Sequence, residues 1–357
     1  MMINTEELDD MLLEIREQPA VLRNTIELNQ AVLAMIRQTL LPKLAAGEVD
    51  NILIVARGSS DHAAALGKYI IESKVGLPVA LAAPSVINLY RTVLKLARTL
   101  VIAISQSGQT NEVIEFMTRV KQYSGYTIGI TNVPDSQLSA LGLDAYLYCH
   151  AGVEKAVAAT KSFTATLMNL YLLAGALAEP DAISQDLRSV PDLMARVLAD
   201  EAVVAPIGAW LATKDECIIL ARGYNYPIAM EISLKLQETS YIRAKAYSGA
   251  DFQHGPLAIT QAGVPFVILK ADGPSYDGMD WLTQAVVKKD AEVYVISTKA
   301  REEATARVPV IRVPACPEWL SPFLLIVLGQ LLAHHTAKAR GIDPAHPRWL
   351  NKVTVTR

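Results

Sequence analysis

Short apolar runs recur along the chain. Each ends in a polar turn, and a segment with apolar residues at helical spacing follows. Strands are read near 52–56, 78–82, 100–104, 126–131 and 145–149, then near 217–221, 242–246, 265–269, 292–297 and 309–313. A nearly continuous apolar run bounded by turn residues reads as a buried parallel strand. Strands alternating with helices predict α/β architecture: parallel sheets, right-handed crossovers and helices on both faces. In such sheets ligands bind beyond the carboxyl ends of the strands. Residues 5–45 read as two helices, with Asn4 or Thr5 capping the first and Gln18-Pro19 separating them. A linker is expected around 179–200, where Glu179-Pro180-Asp181 and Pro191-Asp192 punctuate the chain.

The pattern is written twice. Ile52-Leu53-Ile54-Val55-Ala56-Arg57-Gly58 repeats as Cys217-Ile218-Ile219-Leu220-Ala221-Arg222-Gly223, 165 positions later. The same offset places Thr99–Ile104 on Val264–Leu269, and one position more places Gly125–Asn132 on Ala291–Thr298. A near-constant offset across three strands is the mark of a duplicated α/β domain.

Composition narrows the function classes. The chain has 357 residues, 51% of them hydrophobic, and a formal net charge of −3. No basic excess points to nucleic acid as a partner. Cys149, Cys217 and Cys316 are widely spaced and form no Cys-x-x-Cys pair. The acidic start, Met1–Glu7, lacks the basic and apolar regions of a signal peptide. The longest apolar runs, near Leu170–Ala178 and Phe323–Ala333, fall short of the roughly 20 residues that span a bilayer. The expectation is a cytoplasmic protein with neither membrane nor nucleic-acid partner. No metal signature is present, and no metal or other cofactor is expected.

Candidate chemistry concentrates in both halves. After the run at 99–104 come Ser105-Gln106-Ser107-Gly108-Gln109-Thr110, then a helical pattern from Asn111. Hydroxyls, a glycine and a helix N-terminus at the end of a strand suit a phosphate monoester. Gly58-Ser59-Ser60 would lie beside them if the strands at 52–56 and 100–104 are neighbours. The plainer alternatives are a polar turn and an ordinary helix cap. The second copy carries Lys270-Ala271-Asp272-Gly273-Pro274 instead, where Asp272 repels an anion and Pro274 removes an N–H. One phosphate site per chain is expected, in the first half. Glu231, Lys235 and Glu238 share one face of a predicted helix over 228–239. Such a stripe is often a solvated ion-pair row, but flanking Ile228, Ile232, Leu234 and Leu236 suggest enclosure, and enclosed charges tend to mark sites. Among the six histidines, His254 is the proton-transfer candidate, because it sits in a Gly-Pro loop. His62 ranks second. The adjacent His334 and His335 lack metal-ligand spacing.

Residues 105–110, Glu231-x-x-x-Lys235-x-x-Glu238, His254-Gly255-Pro256-Leu257, Ala151–Phe163 and Pro347-Arg348-x-Leu350-x-Lys352 together resemble the sugar isomerase (SIS) domain family. Within it the likeness is to the isomerase half of glucosamine-6-phosphate synthase, over about 50 to 357. The resemblance implies two tandem SIS domains, each a five-stranded parallel sheet flanked by helices in an αβα sandwich. The implied division is N-terminal helices over 1–45, a sugar-phosphate domain over 46–185, a catalytic domain over 200–340 and a closing segment over 341–357. It also implies a homodimer in which His254 reaches the neighbouring subunit's site.

Carried over, Gly58, Ser59, Ser60, Ser105, Gln106, Ser107 and Thr110 would hold the phosphate of a small-molecule sugar phosphate. The backbone around Val157 would meet sugar hydroxyls, and Glu231 would border the substrate. His254 would open the ring, Glu238 would move a proton between C1 and C2, and Lys235 would stabilise the enolate. Lys352 would contact the open-chain sugar, as a Schiff base in one version. Aldose–ketose chemistry needs a carboxylate to carry one proton and a cation near the enediolate oxygen.

No cysteine precedes Cys149, so the synthase's glutaminase route to ammonia is not expected. The Arg57–His62 turn, Ala83-Pro84-Ser85-Val86 and Glu154–Ser162 resemble the family's glucosamine-6-phosphate deaminases. The leading expectation is therefore conversion of glucosamine 6-phosphate to fructose 6-phosphate and ammonia. The alternatives are a fructosamine-6-phosphate deglycase, an ammonia-using synthase-like isomerase and a non-catalytic sugar-phosphate sensor.

Overall fold

The computed structural model describes residues 9–178 and 180–352. Two helices open it, α1 (Asp10–Leu28) and α2 (Gln30–Ala45). The break expected at Gln18-Pro19 is absent: α1 runs through Pro19, and the chain turns at Asn29. An interior proline loses one hydrogen bond and crowds the preceding turn, but tertiary bonding places the break. Asn29 Nδ2 donates to Tyr148 O (2.8 Å), and its Oδ1 accepts the Tyr148 N–H (3.1 Å). The helix therefore stops where asparagine can satisfy the backbone of a sheet edge. Asn4 and Thr5 lie outside the described residues.

The first sheet comprises β1 (Asn51–Val55), β2 (Val79–Leu81), β3 (Thr99–Ile104), β4 (Tyr126–Thr131) and β5 (Ala145–Tyr148). Its order is β2-β1-β3-β4-β5, all parallel. Helices α3 (Ser59–Lys74), α4 (Pro84–Asn88) and α5 (Asn111–Val120) connect its strands, and α6 (Lys161–Leu177) follows β5. The stretch expected as a linker is largely helical, as α7 (Pro180–Leu198). Proline at a first helical position gives up an N–H that had no partner anyway, so Pro180 starts this helix rather than interrupting the chain.

After α8 (Ala205–Leu211) the pattern repeats. The second sheet contains β6 (Glu216–Ala221), β7 (Arg243–Ser248), β8 (Pro265–Lys270), β9 (Glu292–Ser297) and β10 (Val310–Arg312), in the order β10-β9-β8-β6-β7. Its helices are α9 (Tyr226–Ser240), α10 (Gly249–Gln253), α11 (Tyr276–Val287) and α12 (Ser321–Ala339). Read from its other edge, this order is that of the first sheet, so the duplication extends to topology.

In the first sheet Val55, Val101 and Ala103 pack on Val113, Phe116 and Met117 of α5. On α3, a Cβ at Gly67 would lie 3.1 Å from Leu170 Cδ1 of α6, so a glycine lets these helices meet. In the second sheet Leu220, Phe266 and Ile268 pack on Phe252, Met279 and Leu282. Each buried Val, Leu, Ile, Phe or Met among them contributes roughly 1.5–3 kcal/mol. Residues Glu318–Ala339 form the one segment, among those described, long and apolar enough to cross a membrane. It is longer than the apolar runs counted from sequence, but 94% of its most apolar window is buried within the protein.

The described chain folds as two compact units. One holds the first sheet and comprises 18–154, 161–191 and 351–352; the other holds the second sheet and comprises 9–17, 155–160 and 192–350. Residues 155–160 follow β5 in sequence yet belong to the second unit.

Candidate active site

Strands β1 and β3 are adjacent, with Asn51 level with Thr99 and Val55 level with Ala103. Their carboxyl ends therefore deliver the Gly58 and Ser105 turns side by side. Gly58 (φ +58°) precedes α3, and its carbonyl accepts the N–H groups of Asp61 (2.9 Å) and His62 (3.3 Å). Ser59 and Ser60 form the first turn of α3, both half-buried. Across the gap Ser105 is buried, and its Oγ lies 2.8 Å from Thr110 Oγ1. Gly108 (φ +62°) folds the loop back, its N–H donating to Ser105 O (3.0 Å). A Cβ at Gly108 would lie 2.1 Å from Ser136 Oγ, so only glycine fits. Gln106 O accepts the Asn132 N–H (3.0 Å), and Ser107 Oγ accepts the Gln109 N–H (3.2 Å). Thr110 takes the N-cap position of α5 with no side-chain capping bond, and the helix's first N–H groups and dipole end begin at this turn. The two turns are tied by Arg57, whose Nε and Nη2 reach Glu112 Oε2 (2.6 Å) and Oε1 (3.0 Å). This clamp was not foreseen: 55 positions separate its partners.

The equivalent gap in the second sheet is filled. Glu318 is 9% exposed, and its Oε2 accepts the Ser275 N–H (3.1 Å). A Cβ at Gly273 would lie 2.4 Å from that oxygen. Lys270 does not serve this gap, because its Nζ is held between Asp280 (2.7 Å) and Glu302 (2.6 Å). The second turn thus carries Asp272 and Pro274 and also seats the chain's own carboxylate.

The charged stripe on α9 is enclosed. Lys235 Nζ lies 3.3 Å from Glu231 Oε1 and 2.6 Å from Glu238 Oε2, and the side chains of Lys235 and Glu231 are wholly buried. Burial alone would pull the lysine pKa down. The two carboxylates outweigh it and hold the ammonium above the usual lysine range. Close packing of α12 encloses the helix: a Cβ at Gly329 would lie 2.2 Å from Ile232 Cγ1. Glu238 is the open member, 22% exposed. It borders an open cleft of about 700 Å³ with Tyr241, Arg243, Lys245, Arg348 and Trp349. Tyr241 (φ +58°) ends α9, its hydroxyl accepts the Arg348 N–H (2.9 Å), and the Arg348 guanidinium stacks 4.1 Å above its ring.

Lys352 has a partner that sequence reasoning missed. Its Nζ donates to Glu154 Oε2 (2.6 Å), and the same carboxylate accepts the Ser162 N–H (3.0 Å) and Oγ–H (2.7 Å). Burial pushes a carboxyl pKa up, but the Lys352 ammonium and Ser162 outweigh it, so Glu154 lies below the usual range. Val157 donates its N–H to Ala345 O (3.1 Å). His254 is exposed at the end of α10, ahead of Gly255 (φ +131°), and does not line the Glu238 cleft. His334 is buried, its Nε2 2.8 Å from Asp9 Oδ2. Among the described residues, no group of three or more His, Cys, Asp or Glu side chains is placed to hold a metal ion.

Comparison with known proteins agrees with this architecture. Glutamine–fructose-6-phosphate aminotransferase (isomerizing) of Chlamydia pneumoniae is 37% identical over 360 residues, covering 97% of this chain and 58% of that protein. The Gloeobacter violaceus protein of the same name is 37% identical over 359 residues, with the same coverage. The chain thus spans little more than half the length of these relatives. The C-terminal domain of glucosamine-fructose-6-phosphate aminotransferase from Francisella tularensis superposes with a TM-score of 0.86 at 28% identity, covering 97% of this chain and all of that one. Glucosamine-6-phosphate deaminase from Thermotoga maritima shares the fold, with a TM-score of 0.72 at 24% identity over 98% of this chain and all of that one. The SIS domain matches residues 48–176 and 211–337, one segment around each sheet, and the chain belongs to the SIS domain family.

Proposed function

We propose that the protein is an aldose–ketose isomerase of hexosamine 6-phosphates that converts glucosamine 6-phosphate and water to fructose 6-phosphate and ammonia. One observation carries the reading: Glu238 opens on a cleft while the wholly buried Lys235 sits 2.6 Å behind it. That pairing suits a base that takes a proton from carbon beside a cation that steadies the resulting charge. The turns at Gly58–Ser60 and Ser105–Thr110 hold the phosphate. His254 opens the sugar ring in a neighbouring subunit of a homodimer. Glu238 removes the C2 proton and returns it to C1, leaving an imine at C2. Water adds there, and ammonia leaves.

Lys352, whose Nζ donates to Glu154, contacts the open-chain sugar. The test is ammonia release together with fructose 6-phosphate formation by the purified protein. Absence of turnover on every hexosamine 6-phosphate tried overturns the proposal. The 37% identity to aminotransferases favours one second reading, the same proton transfer run from fructose 6-phosphate and free ammonia. Initial rates in both directions separate the two.

A further inference from the structure

We propose that Glu14 is a positioning residue that fixes the backbone of the 155–160 loop for the substrate. The side chain stands on the second turn of α1 and is 4% exposed. Its Oε1 accepts the Lys155 N–H in a short hydrogen bond, and its Oε2 accepts the Ala156 N–H (3.3 Å). The next N–H, of Val157, goes to Ala345 O (3.1 Å), and Thr160 O accepts from Gln330 Nε2 (3.3 Å). Three consecutive amides are thus bound outside their own loop, two of them by one carboxylate.

A buried carboxylate is costly unless its lone pairs are used, so packing alone does not account for a glutamate here. Its two oxygens match two successive N–H groups, an arrangement that orients a peptide segment. Lys155 Nζ also reaches Asp10 Oδ1 (3.3 Å), one turn earlier on α1, but that pair is exposed and weak. Glu154, which holds Lys352, directly precedes the clamped amides. The inference rests on the proposed isomerase reading for its catalytic readout: with the loop fixed, the Val157 carbonyl has one position toward the sugar hydroxyls.

The experiment compares the full-length protein with Glu14→Gln, Glu14→Asp and Lys155→Ala. In Glu14→Gln one oxygen becomes an NH₂ group that faces an N–H, so one bond is lost and donors oppose. Amide exchange at 155 and 156 should speed at least about tenfold, while the amides of Glu216–Ala221 stay protected. KM for glucosamine 6-phosphate should rise about tenfold with kcat within about threefold, the sign of a lost ground-state contact. Glu14→Asp keeps the carboxylate and should recover part of both effects, and Lys155→Ala should match wild type. Unchanged exchange at 155 and 156 in Glu14→Gln overturns the proposal. So does faster exchange with KM and kcat both unchanged, which makes the contact structural only. If wild type turns nothing over, the isomerase reading falls, and amide exchange alone decides whether Glu14 fixes the loop.

Discussion

Removing the Lys235 cation while keeping its volume, as Lys235→Met, takes the ammonium from between the wholly buried Glu231 and Glu238. Breaking a buried pair from one side costs about 3–5 kcal/mol. The variant can instead protonate Glu231. From an ordinary carboxyl pKa near 4.3 to pH 7, that costs about 4 kcal/mol, so both routes converge on a similar loss. The pH dependence follows. A buried carboxyl whose pKa is raised in the folded variant contributes fully below its unfolded pKa, and that contribution is lost as pH rises. The deficit against wild type should therefore be small near pH 4 and grow by roughly 1.4 kcal/mol per pH unit until Glu231 ionises in the fold. Adding Glu231→Gln removes the stranded charge, and the double variant should recover at least about 2 kcal/mol at pH 7. Urea unfolding at pH 5 and pH 7, on wild type, both single variants and the double variant, reads these quantities. A single variant within about 1 kcal/mol of wild type at pH 7, or a double variant no better than the single, refutes the view of α9 as an electrostatically closed cluster.

Gly108→Ala forces a side chain into the left-handed region and against Ser136, so a loss of about 2–4 kcal/mol is expected in thermal unfolding. Gly152→Ala, also at positive φ but with open space around it, should lose only about 1–2 kcal/mol. Ser105→Ala removes the hydroxyl that braces Thr110 and should raise KM for the sugar phosphate about tenfold with kcat nearly unchanged, read from initial rates. Glu154, with its pKa lowered in the fold, contributes stability above the unfolded carboxyl pKa, and that contribution is lost as pH falls through the folded value. Glu154→Gln should thus be about 1–3 kcal/mol less stable than wild type at neutral pH and converge with it in acid, measured by unfolding midpoints across that range.

The inner strands and their turns were legible because a parallel strand covered on both faces is apolar nearly throughout; the edge strand β7 carries Arg243 and Lys245. The run read at 126–131 is β4, and the run at 292–297 is β9, end for end. The Glu231–Lys235–Glu238 face was legible from helical spacing, and its enclosure from the flanking isoleucines and leucines. What escaped detection depends on partners distant in the chain. Asn29 ends α1 through Tyr148, 119 positions on; Lys352 pairs with Glu154 at a separation of 198; Glu14 binds an amide 141 positions away. Such pairs leave no period and no composition shift. Pro19 misled because a proline is a strong local breaker, while the surrounding packing decides whether a helix survives it.

The carboxylate of Glu318 gives the molecule an internal standard for recognition. Both sheets end in the same pair of turns beside a helix N-terminus, so both carry the generic attraction of that place for negative charge. In one the turns present hydroxyls; in the other the chain has answered the attraction itself. A small anion that competes only at the Ser105 turn is selected by hydroxyl geometry. One that binds after Glu318 is truncated does so without those hydroxyls, against Asp272 and with one N–H fewer at Pro274. The difference in affinity between the two turns, in a single polypeptide, measures how much of phosphate binding belongs to the fold and how much to the side chains laid on it.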